Sequence, residues 1–242
     1  MLCRADLHIH SCLSPCASLD MSPSAIVKTA VDKGLNCLAL TDHNCALNCA
    51  TMERVCREAE VFFIPGLEIT TSEEAHILCL FESTDKALAF SKEVYTRIPD
   101  VENVPEKFGD QVYVDEEDGI EGMVNKYLGL ATDISVEQLR DMVLASEGLL
   151  IPAHIDKPVF SLISQLGFIS GQFNAVELSK AYIKRGHPLS IAKHYTAISS
   201  SDSHYISDIG SIHIEFAIEF SPFHSLKNAL EQKSVQIKET VA

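Results

Sequence analysis

The chain has 242 residues and a formal net charge of −15, and 46% of it is hydrophobic. That length suits one α/β domain with a large core better than two small ones, and the acidic balance argues against a broad basic face that coats nucleic acid. No apolar run approaches the roughly 18 residues that a membrane span needs, so no membrane partner is expected.

In chain order, residues 5–11 read as a strand that enters the first motif, Asp6-Leu7-His8-Ile9-His10, at once. This leaves no room for a secretion signal, and a cytoplasmic location is expected. Residues 23–33 read as a helix with Ser22 as cap, Pro23 in its first turn and Gly34 at its end. A strand over 37–41 leads to Thr41-Asp42-His43, and 46–59 suits a helix. Strands follow over 61–65 and 75–81, with Gly66-Leu67-Glu68 and His76 between and after them, then a helix over 84–97. Residues 99–132 break the pattern with Pro105, Gly109, Asp118-Gly119 and many acids. There 111–114 and 123–127 suggest a hairpin, read as an insertion over one face that shapes substrate access. A helix capped at Ser135 runs to Ser146, and a strand over 149–153 ends in Pro152-Ala153-His154. A helix over 160–166, a short strand over 175–178 and a helix over 188–194 come next. The strand over 196–200 runs into Ser201-Asp202-Ser203-His204, and a strand over 213–220 and a helix over 222–232, capped by Ser221, close the chain.

Alternating strands and helices imply a largely parallel sheet with helical crossovers, closed or nearly closed into one barrel. In such barrels the chemistry sits at the carboxyl ends of the strands, where His43, Glu68, His154 and Asp202 all fall. His8 and His10, two apart on a strand, share a face. One histidine on an apolar strand is commonly a core residue, but burying several His, Asp and Glu together without an ion would be costly. Imidazole and carboxylate converging at strand ends make a transition-metal site, which points to a metal-dependent hydrolase. His187, His194, His213 and His224 lack this context. The eight cysteines lack the spacing of a disulfide framework and are expected to stay reduced.

These five motifs, in this order and spread over nearly the whole chain, resemble the polymerase-and-histidinol-phosphatase (PHP) domain family. The resemblance implies a distorted (β/α)7 TIM-like barrel with two or three divalent ions (zinc, iron or manganese) at the strand carboxyl ends, and hydrolysis of phosphoric esters. It implies that His8, His10 and Asp202 bind one ion, that Glu68 bridges to a second completed by His76 and His154, and that His43 and His204 serve a third. Glu68, His154 and Asp202 are then the catalytic core. The pattern departs after Ser14, where a further His or Asp is expected. Cys16 stands there instead, with Asp20 as the competing ligand. Lys157, Lys180, Lys184 and Arg185 lie in loops on the catalytic side, and Lys157, Lys180 and Arg185 are the candidate phosphate ligands. Glu177 and Ser179 are candidates for orienting a histidine. The expected substrate is a small phosphorylated metabolite or nucleotide. An exonuclease on short oligonucleotides and a non-catalytic metal-binding PHP module are the alternatives.

Overall fold

Capping residues fix most helix ends. The structure, a computed structural model, describes residues 1–187 and 192–239, so the helix expected over 188–194 lies partly outside the described residues. The Ser22 hydroxyl accepts from the Ala25 amide at the start of α1 (Pro23–Asp32), and Gly34 follows it at φ 73°. Ser135 and Gln138 form a reciprocal capping box at the start of α5 (Val136–Ala145). Ser221 caps α8 (Pro222–Glu231). Between these lie α2 (Cys49–Glu58), α3 (Thr84–Thr96) and the short α4 (Pro105–Phe108), α6 (Leu162–Leu166) and α7 (Lys180–Lys184). The helices α4 and α7 carry too few turns for an apolar period to be read from sequence.

The strands depart from the expected largely parallel barrel. They are β1 (Leu2–Asp6), β2 (Cys37–Leu40), β3 (Phe62–Thr70), β4 (His76–Leu80), β5 (Val112–Val114), β6 (Ile120–Met123), β7 (Leu149–Pro152), β8 (Val176–Glu177), β9 (Ala197–Ile198), β10 (Ile212–Ala217) and β11 (Gln236–Glu239). Seven form one curled sheet in the order β11-β10-β1-β2-β3-β4-β7. Only β1-β2 and β2-β3 pair in parallel within it; its other four pairings are antiparallel. The cause at β3–β4 is a tight turn, where the Thr71 amide donates to the Ala75 carbonyl and the Ala75 amide to the Thr71 hydroxyl. A turn of that length cannot hold a crossover helix, so the strands must reverse. Gly66 permits the close pairing, since a Cβ there would stand 2.7 Å from the Cys79 carbonyl oxygen.

The parallel pair β8–β9 forms its own two-stranded sheet. Single bonds join it to both flanks: Asn174 N to Leu150 O (3.0 Å) and Ile155 N to Glu177 O (2.9 Å) on the β7 side, and His10 N to Ser203 O (3.0 Å) on the β1 side. Alternate strand residues separate into two cores, as the pleat requires. Cys3, Ala5, Leu7, Cys37, Ala39, Leu78, Leu80, Leu149 and Ile151 pack with α8. Leu38, Leu40, Ile77, Cys79 and Leu150 pack with α1, α2, α3 and α5. All eight cysteines are free thiols, and only Cys16 is exposed. No helix among the described residues is long and apolar enough to cross a membrane.

The expected hairpin is present as β5–β6, with its second strand at 120–123 in place of 123–127. Asp115 draws the turn tight by accepting from the Glu117 and Gly119 amides, and Asp118 adopts φ 64°. Buried side chains tie the insertion to the loop after His43. Asn48 donates to Val112 O and accepts from Val114 N, Thr51 donates to Val114 O, and Asn44 donates to Leu128 O and Leu130 O. Fully buried Gln111 donates to Val124 O and Lys126 O and accepts from Leu128 N. Gln111→Ala should strand these backbone groups, at roughly 1–3 kcal/mol for each one left dry. A chemical-denaturation midpoint well below wild type is expected, and an unchanged midpoint would show that these bonds do not hold the insertion together.

Candidate metal centre

Register places the site. Glu68 lies on β3 opposite Leu78 of β4, and His76 opens β4 opposite Thr70. His43 forms a parallel bridge with Glu68, whose amide donates to Asp42 O and whose carbonyl accepts from Asn44 N. His8 and His10 lie just beyond β1, where the Ile9–Ser203 bridge holds the chain extended. His154 and Asp202 follow β7 and β9, with φ 31° and 51°. Left-handed backbone at non-glycine residues is uncommon and clusters at functional sites.

The five motifs converge on the Glu68 carboxylate. Its Oε1 lies 3.0 Å from His76 Nδ1, 3.3 Å from His8 Nε2 and 3.4 Å from His154 Nε2. Its Oε2 lies 3.2 Å from His43 Nδ1 and 3.4 Å from His10 Nε2. Asp202 Oδ1 stands 3.3 Å from His8 Nε2 and 3.5 Å from His10 Nε2. The His204 ring stacks on His10 at 4.2 Å between centroids. Ligand atoms close enough to share an ion fall into three groups: His8, His10 and Glu68; His43, Glu68 and His76; and His10, His43 and His204. His43 therefore belongs with Glu68 and His76 as well as with His204.

This set fits divalent ions. His43 Nδ1 and Glu68 Oε1 are buried without a hydrogen-bond partner although they lie this close to their neighbours. Such orphaned groups cost roughly 1–3 kcal/mol each unless something else binds them. Burial, followed by the charge of His204, holds His10 down at about 4. Burial also keeps His43 well below the usual imidazole range. Both thus offer neutral lone pairs. At His8 burial is opposed and outweighed by the Glu177, Asp202 and Glu68 carboxylates, which hold it well above that range. At Glu68 burial is outweighed by His76, His8 and His43, so its carboxyl stays well below its ordinary value.

A second layer fixes the histidines. Glu177 Oε2 takes His8 Nδ1 at 2.9 Å and the His154 amide at 3.1 Å. Ser14 Oγ lies 3.0 Å from His10 Nδ1 and donates to Asp42, which also accepts from the Ser11 amide and hydroxyl. The roles of Ser14 and Asp42 were not legible in the sequence, because they act across 28–31 residues of chain. Ser179 does not touch a histidine; it is bound by Asp156 and caps α7. Cys16 and Asp20 are in none of the three groups. Cys16 is exposed as a residue, and desolvation, followed by the charges of Glu68, Asp202 and Asp42, pushes its thiol up to about 12. Asp20 instead lines a separate depression with Leu19, Ser22 and Asp118.

A cavity of about 830 Å³ adjoins the cluster at His154 and Asp202. It gathers Lys157, Lys180 and Arg185, together with Lys184, on one wall. Lys157 Nζ reaches Asp202 Oδ2 at 2.5 Å, and Lys180 reaches Asp208 at 3.4 Å. Lys184 and Arg185 make no ion pair among the described residues and are exposed.

A mixed α/β sheet with a buried histidine–carboxylate cluster at its strand ends defines a class of metal-binding hydrolase-like domains. The PHP domain model matches residues 6–235, and the chain belongs to that family. No curated protein matches the chain. Among solved structures, the lesion-specific endonuclease Q of Pyrococcus furiosus is similar with a TM-score of 0.64 and 20% identity, over 98% of this chain and 58% of that one. This chain thus spans little more than half of that enzyme. A protein assigned as a metal-dependent phosphoesterase from Bifidobacterium adolescentis gives 0.58 and 17%, over 83% and 87% of the two chains. An amidohydrolase from Chromobacterium violaceum with bound sulfate gives 0.56 and 18%, over 98% of both.

Asp6 is set apart from this cluster. It accepts from the Ser201 and Gly210 amides, and burial raises its carboxyl from 3.8 to about 6. Because the folded value is the higher one, the native state binds the extra proton, and this contribution to stability grows as pH falls through about 6 toward 3.8. Wild type should therefore gain thermal stability relative to Asp6→Asn between pH 7 and 5. A difference that stays constant across that window would contradict the assignment.

Proposed function

We infer that the protein is a metal-dependent phosphoesterase, a hydrolase acting on phosphoric ester bonds of a small phosphorylated metabolite or nucleotide. The observation that carries this is the coincidence of two features: a carboxylate ringed by imidazoles, and a cavity beside it whose cations stand out in a chain of net charge −15. His8, His10, Glu68 and Asp202 would hold one ion, Glu68, His76 and His154 a second, and His43 and His204 a third. Bound there, divalent ions supply Lewis-acid polarisation of the phosphoryl group and activation of the attacking water.

The chain's own residues prepare that chemistry. Glu177 fixes the His8 ring by accepting at Nδ1, and Ser14 does the same for His10, so the opposite nitrogens face Glu68. Lys157 sits between Asp202 and the cavity and can exchange its carboxylate partner for a phosphoryl oxygen. Lys180 and Arg185 line the same cavity and give the rest of the substrate its anionic recognition. Endonuclease Q has been seen with a 27-mer duplex carrying an abasic lesion at its active site. Short oligonucleotides therefore belong in any test of the substrate.

Phosphate release from nucleotides and sugar phosphates, and strand cleavage of short oligonucleotides, with added manganese, zinc or iron, test the reading. Turnover of at least one member is expected, with Lys157→Ala raising KM about tenfold or more. No hydrolysis of any member under any of the metals would contradict it.

The third ion needs an anionic ligand beyond the two imidazoles of His43 and His204. We favour Cys16, which lies two residues after the Ser14 that binds His10 and Asp42, whereas Asp20 lines a separate depression. A nearby cation would reverse the upward push on the thiol. Cys16→Ser should lower metal content by about one equivalent, with Asp20→Asn unchanged. The opposite pattern would make Asp20 the ligand.

A further inference from the structure

Phe160 combines three properties that its role in packing does not require. Its backbone is left-handed at φ 55°, a conformation that is a true outlier for a bulky side chain. It is held there firmly: the Phe160 carbonyl accepts from the His76 amide at 2.9 Å, and the next residue, Ser161, donates to Lys157 O at 2.7 Å while capping α6. Yet the residue stays 43% exposed. Its ring lies almost parallel to that of His76, 14° between planes and 4.8 Å between centroids. One face is therefore spent on His76. No other ring contact is made to Phe160 among the described residues, and 43% of the residue remains exposed.

The seven residues from His154 to Phe160 thus present, in order, a candidate ligand, a cation in the cavity and a flat apolar ring. Across the centre the sequence of groups is cavity, His154, His76 (5.4 Å from His154 between ring centroids) and Phe160. The cation-lined cavity adjoins the cluster at His154, and the aromatic ring adjoins it at His76. A strained residue held by backbone bonds and left exposed costs roughly 1–3 kcal/mol. That cost is understandable if the exposed face binds something.

We propose that the outer face of Phe160 is a stacking platform for a planar aromatic group of the substrate, which makes the substrate class an ester of phosphate with a nucleoside or another aryl-bearing alcohol. The proposal rests on the phosphoesterase reading and narrows it. Stacking of a base on an aromatic side chain contributes about 1–3 kcal/mol, so its loss corresponds to about a 5- to 150-fold change in affinity. A parallel ring platform accepts any base, because every base has a flat π face; selectivity is for planarity and not for a hydrogen-bonding pattern.

The test compares wild type with Phe160→Ala, Phe160→Leu and Phe160→Trp on two substrate sets, nucleoside monophosphates with phenyl phosphate and glycerol phosphate with ethyl phosphate, with metal content measured on each protein. The expected result is a rise in KM of about tenfold or more for the aromatic set in Phe160→Ala and Phe160→Leu. kcat and the aliphatic set should stay within about twofold, and Phe160→Trp should retain wild-type behaviour. The leucine variant keeps apolar bulk over His76 if alanine impairs folding. Equal losses on both sets, or losses that track a fall in metal content, would overturn the platform and leave Phe160 as packing for His76. Wild-type turnover of the aliphatic set alone would overturn it too, while the phosphoesterase reading stands. Failure of wild type on both sets would remove that reading and the platform with it.

Discussion

Glu68 is the group on which the rest of the site depends. Its side chain is 1% exposed, yet five imidazole nitrogens lie within 3.4 Å of its two oxygens. A carboxylate in such a place is stable only among positive partners or bound ions. The fold supplies the geometry through pairing. The parallel ladder from β2 to β3 puts His43 beside it, the antiparallel turn to β4 brings His76 back, and β7 delivers His154. The antiparallel reversal that departs from a regular barrel is thus also what sets His76 on the same oxygen as His8 and His154.

Around this charge the protein arranges partners of graded strength. Glu177 and Asp202 raise His8, while burial keeps His10 and His43 neutral. Glu177 at His8 Nδ1 leaves the opposite nitrogen, Nε2, facing Glu68 and Asp202. Asp42, held by Ser11 and Ser14, ties the first motif to the second. The insertion is bound in turn to the loop after His43 through Asn44, Asn48 and Thr51. A disturbance in the hairpin has a short covalent and hydrogen-bonded route to the centre.

Much of this was legible in the sequence where the signal is local. Ser22, Ser135 and Ser221 mark helix starts because a cap acts within three residues. The histidine motifs mark strand ends because each follows an apolar run. What escaped was set by tertiary contact. Strand direction at β4 depends on a turn whose length the sequence leaves ambiguous. The hairpin turns through Asp118-Gly119 as expected, but its second strand begins three residues early because Asp115 closes directly on Gly119. The Glu177 contacts and the Ser14–Asp42 bond span 23 to 169 residues of chain, and Phe160 gains meaning only once His76 is beneath it.

The central claim is that Glu68 and its ring of imidazoles exist to hold ions. Elemental analysis of protein purified without chelators, alongside Glu68→Ala, tests it most directly. Two or three equivalents of zinc, iron or manganese are expected in wild type, with a clear loss in the variant. Less than one tightly bound ion in correctly folded wild-type protein would contradict the account.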